Sequence, residues 1–172
     1  MSFGLRLGRS FLSGVVVVLV ITAIGFCQSA TGHQDTMGSV QLATAVKERI
    51  YRELAGEPGT SNGEVPSSLA VCPVKLLKIG PDGHSGLRVW GTSSNGTCGA
   101  TGNCDIWVFD PKTGELLLSA NGFDLRVEAV VHHGLFDIVT SHNMSAGSGV
   151  RDLYQFDGHE YQNVQETNET YQ

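Results

Sequence analysis

Two cysteines in the middle of the chain, Cys98 and Cys104, are the residues whose type and spacing best suit chemistry. They enclose the five residues Gly-Ala-Thr-Gly-Asn, and a strand-like apolar run from Ile106 to Phe109 follows them. The short spacing and the two glycines predict a disulfide that staples a loop at the mouth of a β-hairpin. On the chain-entropy estimate, such a staple stabilises the fold by about 2 kcal/mol, because it restricts the unfolded chain.

A metal site is the alternative chemistry for the same cysteines. Two thiolates and two imidazoles from His132, His133 and His142 would supply the four ligands of a zinc ion. The histidines lack the short spacing of a zinc finger, and redox-catalytic cysteine pairs usually enclose two residues, not five. The disulfide is therefore the favoured prediction, with no cofactor, and the three histidines remain the alternative metal or catalytic region.

Cys72 lies in the segment Ala-Val-Cys-Pro, which has the composition of a buried strand. We predict a small buried residue there. A disulfide from Cys72 to Cys98 or to Cys104 stays open, because the sequence alone does not fix disulfide connectivity.

Catalytic motifs give little support to an enzyme. The chain offers no nucleophile elbow on a strand-to-helix turn, no His-Glu-x-x-His motif and no phosphate-binding glycine loop. We therefore expect a non-enzymatic binding or structural module of the cell envelope or extracellular space. The alternative is a metal-dependent or hydrolytic enzyme that uses the region of His132, His133 and His142.

Two loops, 91–104 and 143–149, are the predicted binding surface. Both are rich in Gly, Ser, Thr and Asn, and binding residues are concentrated on loops that a rigid scaffold positions. The candidate contact residues are Thr92, Ser93, Ser94, Asn95, Ala100, Thr101, Asn103, Asn143 and Ser145.

The first 32 residues have the three-part pattern of a secretory signal peptide. Arg6 and Arg9 precede an apolar run from residue 11 to residue 26, and small residues follow. We expect a mature chain that starts between Ala30 and His33 and is secreted or periplasmic. The alternatives are membrane anchoring through an uncleaved signal or through lipidation of Cys27, although the apolar run is shorter than the ~20 residues of a spanning helix.

Removal of residues 1–32 leaves 140 of the 172 residues, enough for one domain, which we expect to be a monomer. The formal net charge of the whole chain is −6. Nucleic acids and anionic membranes attract basic surfaces, so the charge argues against both as partners. The expected partner is a protein or an envelope component, with no integral membrane span after signal cleavage.

The elements that must position these residues begin with one helix. Within 33–68, apolar residues recur every three or four positions over 39–55, for example Val40, Ile50 and Leu54, and Gly56 with Pro58 ends the pattern. This spacing predicts an amphipathic helix with Ser39 at its start. A lead-in precedes it, and a loop rich in Gly, Pro and Ser follows it as far as residue 68.

The segment 69–164 reads as an antiparallel β domain. Turn residues arrive every eight to fifteen positions, as at 110–114, at Asn121-Gly122 and at Asp157-Gly158. We predict an α+β fold that is mostly β, with an antiparallel meander of about seven or eight strands and the one N-terminal amphipathic helix packed on it. Residues 165–172 form a polar tail in this prediction.

Short stretches resemble known repeats. Residues 108–117 are similar to the hairpin of a PQQ-type β-propeller repeat, and 136–139 with 156–158 look like fragments of FG-GAP-type propeller repeats. A closed propeller needs at least four blades, more than 140 residues supply, so these likenesses imply hairpin geometry and no cofactor. Over most of the chain, the order of a signal peptide, a helix, the C-G-x-T-G-N-C loop and a final hairpin resembles a group of small exported bacterial proteins of unknown function. That resemblance implies a compartment and a shape, without an activity.

Overall fold

A computed structural model describes residues 34–55, 67–93 and 96–170. The predicted signal peptide, its cleavage site and the lipidation alternative at Cys27 lie outside the described residues. So do the loop 56–66 and two candidate contact residues, Ser94 and Asn95.

The described chain is mostly β, as predicted. It contains one helix of twelve residues, α1 (Thr44–Ala55), and a four-residue helix, α2 (Ser67–Ala70). The eight strands are β1 (Val74–Lys78), β2 (Ser85–Trp90), β3 (Cys104–Phe109), β4 (Leu116–Gly122), β5 (Asp124–His132), β6 (Leu135–Ser145), β7 (Ser148–Phe156) and β8 (Tyr161–Thr170).

The strands form two four-stranded antiparallel sheets, sheet 1 in the order β1-β2-β3-β4 and sheet 2 in the order β5-β6-β7-β8. The chain passes from one sheet to the other at Phe123, whose backbone N–H donates to the Ser141 carbonyl at 2.9 Å. A Cβ atom at Gly122 would lie 2.5 Å from that same carbonyl oxygen. Glycine therefore permits the close crossing, and the Asn121-Gly122 pair, predicted to be a turn, is where the meander divides into two sheets.

Sheet 1 is the middle layer of the fold, because alternate residues of its strands enter different hydrophobic clusters. Phe109 is packed with Ile50 and Tyr51 of α1 in one cluster. Ile106 and Val108 belong to a second cluster, which also takes side chains from sheet 2. The sheet 2 members of that cluster are Leu125, Leu135, Ile138, Tyr154 and Tyr161.

Helix α1 begins five residues after the predicted start at Ser39. The backbone N–H groups of Ser39 and Val40 donate to the Thr36 carbonyl, and the Ser39 hydroxyl accepts from the Thr36 N–H, so these residues form a turn. Helical bonding begins further on, where the Lys47 N–H donates to the Ala43 carbonyl at 3.0 Å. Ser39 thus stabilises the turn before the helix instead of capping the helix itself.

The predicted polar tail, 165–172, contributes six residues to β8. These residues, Gln165 to Thr170, pair in unbroken register with β7, from Leu153 back to Ser148. Most of them are exposed, so within the described residues no second layer covers this part of the strand. A strand with both faces exposed to solvent shows no alternation of apolar and polar residues, so sequence periodicity does not predict it.

Buried tyrosines predict that the protein loses stability in alkali. Burial raises the pKa values of Tyr51, Tyr154 and Tyr161 above their ordinary value of 10.0, and the Asp137 carboxylate raises that of Tyr161 further. Each of these tyrosines has a higher pKa in the folded than in the unfolded protein. Its contribution to the free energy of unfolding is therefore complete below about pH 10 and is lost as the pH rises towards the folded pKa. We expect the free energy of unfolding, measured in denaturant, to decline over that pH range. In Tyr161→Phe it should decline less steeply. A free energy of unfolding that falls as steeply with pH in Tyr161→Phe as in the wild type would contradict this.

Candidate functional site

The predicted disulfide between Cys98 and Cys104 is present. Backbone hydrogen bonds support the same loop: the Gly99 N–H donates to the Asn103 carbonyl at 2.7 Å, and the Asp105 N–H donates to the Thr97 carbonyl at 2.8 Å. Cys72 is fully buried and belongs to the cluster under α1. Because Cys98 and Cys104 bond to each other, neither pairs with Cys72.

Asn103 docks this stapled loop onto strand β6. Its Oδ1 accepts the backbone N–H of Asn143 at 2.8 Å, and its Nδ2 donates to the Asn143 carbonyl, also at 2.8 Å. The side-chain amide thus reproduces the pair of hydrogen bonds that a neighbouring strand would make. Asn103 is only 8% exposed, and both bonds are partly buried.

A second amide strengthens the contact between the two loops. The Asn143 Nδ2 donates to the Thr101 carbonyl at 3.2 Å, and the Asn103 Nδ2 also donates to the Thr101 hydroxyl at 3.0 Å. The two predicted binding loops are therefore one continuous feature. We call its exposed residues the loop surface: Gly99, Ala100, Thr101, Gly102, Met144, Ser145, Ala146 and Gly147.

The remaining candidate contact residues occupy different environments. The Thr92 backbone N–H donates to the Thr97 hydroxyl at 2.9 Å, which ties the start of the loop to its far side, and Ser93 is exposed. Ser145 shares a hydrogen bond of 2.8 Å with Ser148 across the β6–β7 turn. Asn103 and Asn143 hold the two loops together, whereas Ala100, Thr101 and Ser145 lie exposed on the outside.

The three candidate histidines are not brought together. His132 pairs with Leu135 at the start of β6, and His142 lies seven residues further along that strand, about 23 Å away at the usual rise per residue. His133 is exposed in the turn, with a φ of 48°. Within the described ranges, no group of three or more His, Cys, Asp or Glu side chains is placed to hold a metal ion.

Two of these histidines instead form pairs with buried aspartates. His132 Nδ1 lies 2.6 Å from Asp137 Oδ1, and His142 Nδ1 lies 3.2 Å from Asp152 Oδ2. A side-chain amide supports each carboxylate: Gln155 Nε2 donates to Asp137 Oδ2 at 3.4 Å, and Asn163 Nδ2 donates to Asp152 Oδ1 at 3.1 Å.

Each carboxylate fixes the orientation of its imidazole, and among the described residues no protein group bonds to either Nε2. An oriented imidazole with an open Nε2 is chemically equipped to accept a proton. The His142–Asp152 pair is the one next to the loop surface, since Asn143 follows directly. No hydroxyl or thiol of the described chain lies within hydrogen-bonding distance of its Nε2.

Sequence reasoning missed the two aspartates. Each is an acid whose side chain is buried within a strand: Asp137 lies between Phe136 and Ile138, and Asp152 lies between Arg151 and Leu153. A lone carboxylate at such a position needs a buried partner, because an unpaired charge is costly away from water. An acid at a buried strand position could therefore have been predicted to have a partner, although the sequence does not identify the histidine on the neighbouring strand.

Comparison of the chain with models of protein families, with curated proteins and with solved structures finds no match. The likenesses to propeller hairpins and to small exported bacterial proteins therefore remain expectations. None of the helices in the described ranges has the length and apolar character that a membrane crossing requires.

The docking amide leads to a stability prediction. Asn103→Ala leaves the N–H and carbonyl of Asn143 without their partners in a shielded place, which we expect to cost about 1–3 kcal/mol in the free energy of unfolding. Asn121→Ala is the matched control, because the Asn121 amide donates to Asp105 at 3.1 Å on the exposed surface and its loss should cost less than about 0.5 kcal/mol. Equal losses in the two variants, measured by denaturant unfolding, would show that Asn103 does not hold the loop in place.

Proposed function

We propose that this protein is an exported, non-enzymatic module that binds a protein or an envelope component through the loop surface. The Asn103–Asn143 pairing is the observation that carries the proposal. It fixes the stapled loop and the β6–β7 turn against each other, so that two loops distant in sequence present one surface.

The chemistry of the loop surface suits recognition of a partner. Its glycines expose backbone groups, Thr101 and Ser145 offer hydroxyls, and the Met144 side chain is 62% exposed. A methionine side chain is flexible and polarizable, so it adapts to an apolar pocket. Because the disulfide and the Asn103 amide already order the loop, little conformational entropy remains to be lost on binding.

The proposed compartment rests on two features. Residues 1–32 have the pattern of a secretory signal, and disulfides persist in oxidising compartments such as the periplasm or the extracellular space. A secreted or periplasmic monomer is consistent with both. The net charge of −6 favours a partner other than a nucleic acid or an anionic membrane surface.

A pair of matched substitutions tests the binding surface. Ala100→Arg places a bulky cation on the loop surface, whereas Ala129→Arg makes the same change at an exposed position of β5. We expect crosslinking to envelope extract of the source organism, quantified by mass spectrometry, to lose its specific products at least tenfold with Ala100→Arg and to keep them with Ala129→Arg. Identical crosslinked products from wild type and both variants would contradict binding through the loop surface.

The hydrolytic alternative is favoured by one observation, the oriented His142–Asp152 pair beside the loop surface. Its distinguishing test is hydrolysis of an activated aryl ester by the full chain and by His142→Gln. The binding proposal expects both proteins to match the buffer rate within about twofold. A wild-type rate about a hundredfold or more above that of His142→Gln, the effect expected from removal of a general base, would favour the enzyme.

A further inference from the structure

Strand β8 forms one edge of sheet 2. Nine of its ten residues pair with β7 on one side, the exception being Val164 at a register shift. On its other side, no strand of the described chain pairs with it. A row of backbone donors and acceptors about 33 Å long therefore faces outwards at the usual rise per residue.

The C-terminal part of β8, beyond the register shift at Val164, lacks the devices that protect the outer strands β1 and β5. Strand β1 is five residues long and carries Lys75 and Lys78, and the register of β5 is interrupted between Val127 and Val131. Short strands, lysines and bulges are the means by which sheet edges avoid pairing with other chains. From Gln165 to Thr170, here called the β8 edge segment, the strand contains no lysine, arginine or proline and no break in register.

The side chains of the β8 edge segment leave room for an added strand. Gln165, Glu166, Thr167, Asn168 and Thr170 are all exposed, so no layer of the described chain covers either face of the segment. Glu169 is half-buried and bonded to Arg151 at 2.6 Å. An approaching strand would meet backbone groups bordered by small and polar side chains.

Charge identifies the kind of strand that fits. Glu166 lies directly across from the buried Asp152 in the β7–β8 register, and no basic side chain of the described chain bonds to Glu166. Like charges directly opposite each other destabilise a sheet. A lysine or arginine in a strand on the outer side of β8 would lie within reach of Glu166 and offset this repulsion.

A second copy of the chain is a poorer occupant. It would bring its own Glu166 and Glu169 to the same edge, and the whole chain carries a net charge of −6. Arg151, which lies opposite Thr167 in the β7–β8 register, is already paired with Glu169.

We propose that the β8 edge segment receives an extended segment of a partner protein, with lysine or arginine at alternating positions, as an additional strand of sheet 2. Such β-strand addition draws its affinity from main-chain hydrogen bonds and its specificity from alternate side chains. This site shares no residue with the loop surface, which it adjoins where Thr170 pairs with Ser148, and it does not depend on the binding function assigned to that surface.

Hydrogen exchange on the full chain tests the proposal with two probes. One is an end-capped octapeptide that alternates lysine and valine, and the other is its twin with glutamate in place of lysine. We expect the lysine peptide to slow amide exchange in residues 165–170, with little change elsewhere in sheet 2. The glutamate peptide should leave exchange unchanged.

Substitutions at Glu166 give the quantitative test. We expect Glu166→Gln to weaken binding of the lysine peptide about two- to fivefold and Glu166→Lys to weaken it by about the same factor again, the range of a cross-strand charge pair. The matched controls, Glu128→Gln and Glu128→Lys, make the same charge changes at an exposed position of β5 and should leave binding unaltered.

Three results would overturn the proposal. The first is unchanged exchange of residues 165–170 at saturating lysine peptide, and the second is equal weakening by the Glu166 and Glu128 variants. The third is slowed exchange of the segment that grows with protein concentration in the absence of peptide, because that would identify a second copy as the occupant. Denaturant unfolding of each variant confirms that the sheet is intact before binding is compared.

Discussion

Strand β3 has apolar side chains on both faces, and this constraint determines the layers of the fold. Ile106 and Val108 are fully buried on the side of sheet 2, while Phe109 is fully buried on the side of α1. A strand of this kind is stable only when both of its faces are covered, since each buried side chain contributes on the order of 1.5–3 kcal/mol. The helix and the second sheet are the two covers. Cys104 begins this same strand, so the disulfide is anchored in the middle layer of the fold.

Features that depend on neighbouring residues could be predicted from the sequence. The disulfide joins cysteines six positions apart, and the turn at 110–114 is set by Asp110, whose carboxylate accepts the N–H groups of Lys112 and Thr113. Gly114 closes that turn with a φ of 74°, a conformation that favours glycine. At these places the sequence predicts the geometry, because the two partners of each contact lie within a few residues of each other in the chain.

Features that depend on distant residues could not be predicted in the same way. Asn121-Gly122 carries the signal of a hairpin turn, and only the carbonyl of Ser141 shows why the glycine is needed for a crossing between sheets. The contact of His142 with Asp152 joins two strands, and that of Asn103 with Asn143 joins the stapled loop to β6, so the arrangement of the sheets had to be known first. The end of the chain was misjudged for a related reason: β8 is ordered by its hydrogen bonds to β7, and its polar side chains give no hydrophobic pattern.

The two proposed surfaces differ in what they offer a partner. At the loop surface part of the backbone is already bonded, because the stapled loop bonds within itself and Asn103 completes its contact with β6. Recognition there must come from side chains such as Met144 and from shape. Along the β8 edge segment the side chains are polar, and the outward-facing backbone N–H and carbonyl groups offer more interactions than the side chains do. A partner that reads the loop surface therefore needs a complementary folded face, whereas a partner for β8 needs only an extended segment whose charge matches Glu166. Because neither surface contributes residues to the two buried clusters, changes at either one should alter binding with little effect on the stability of the fold.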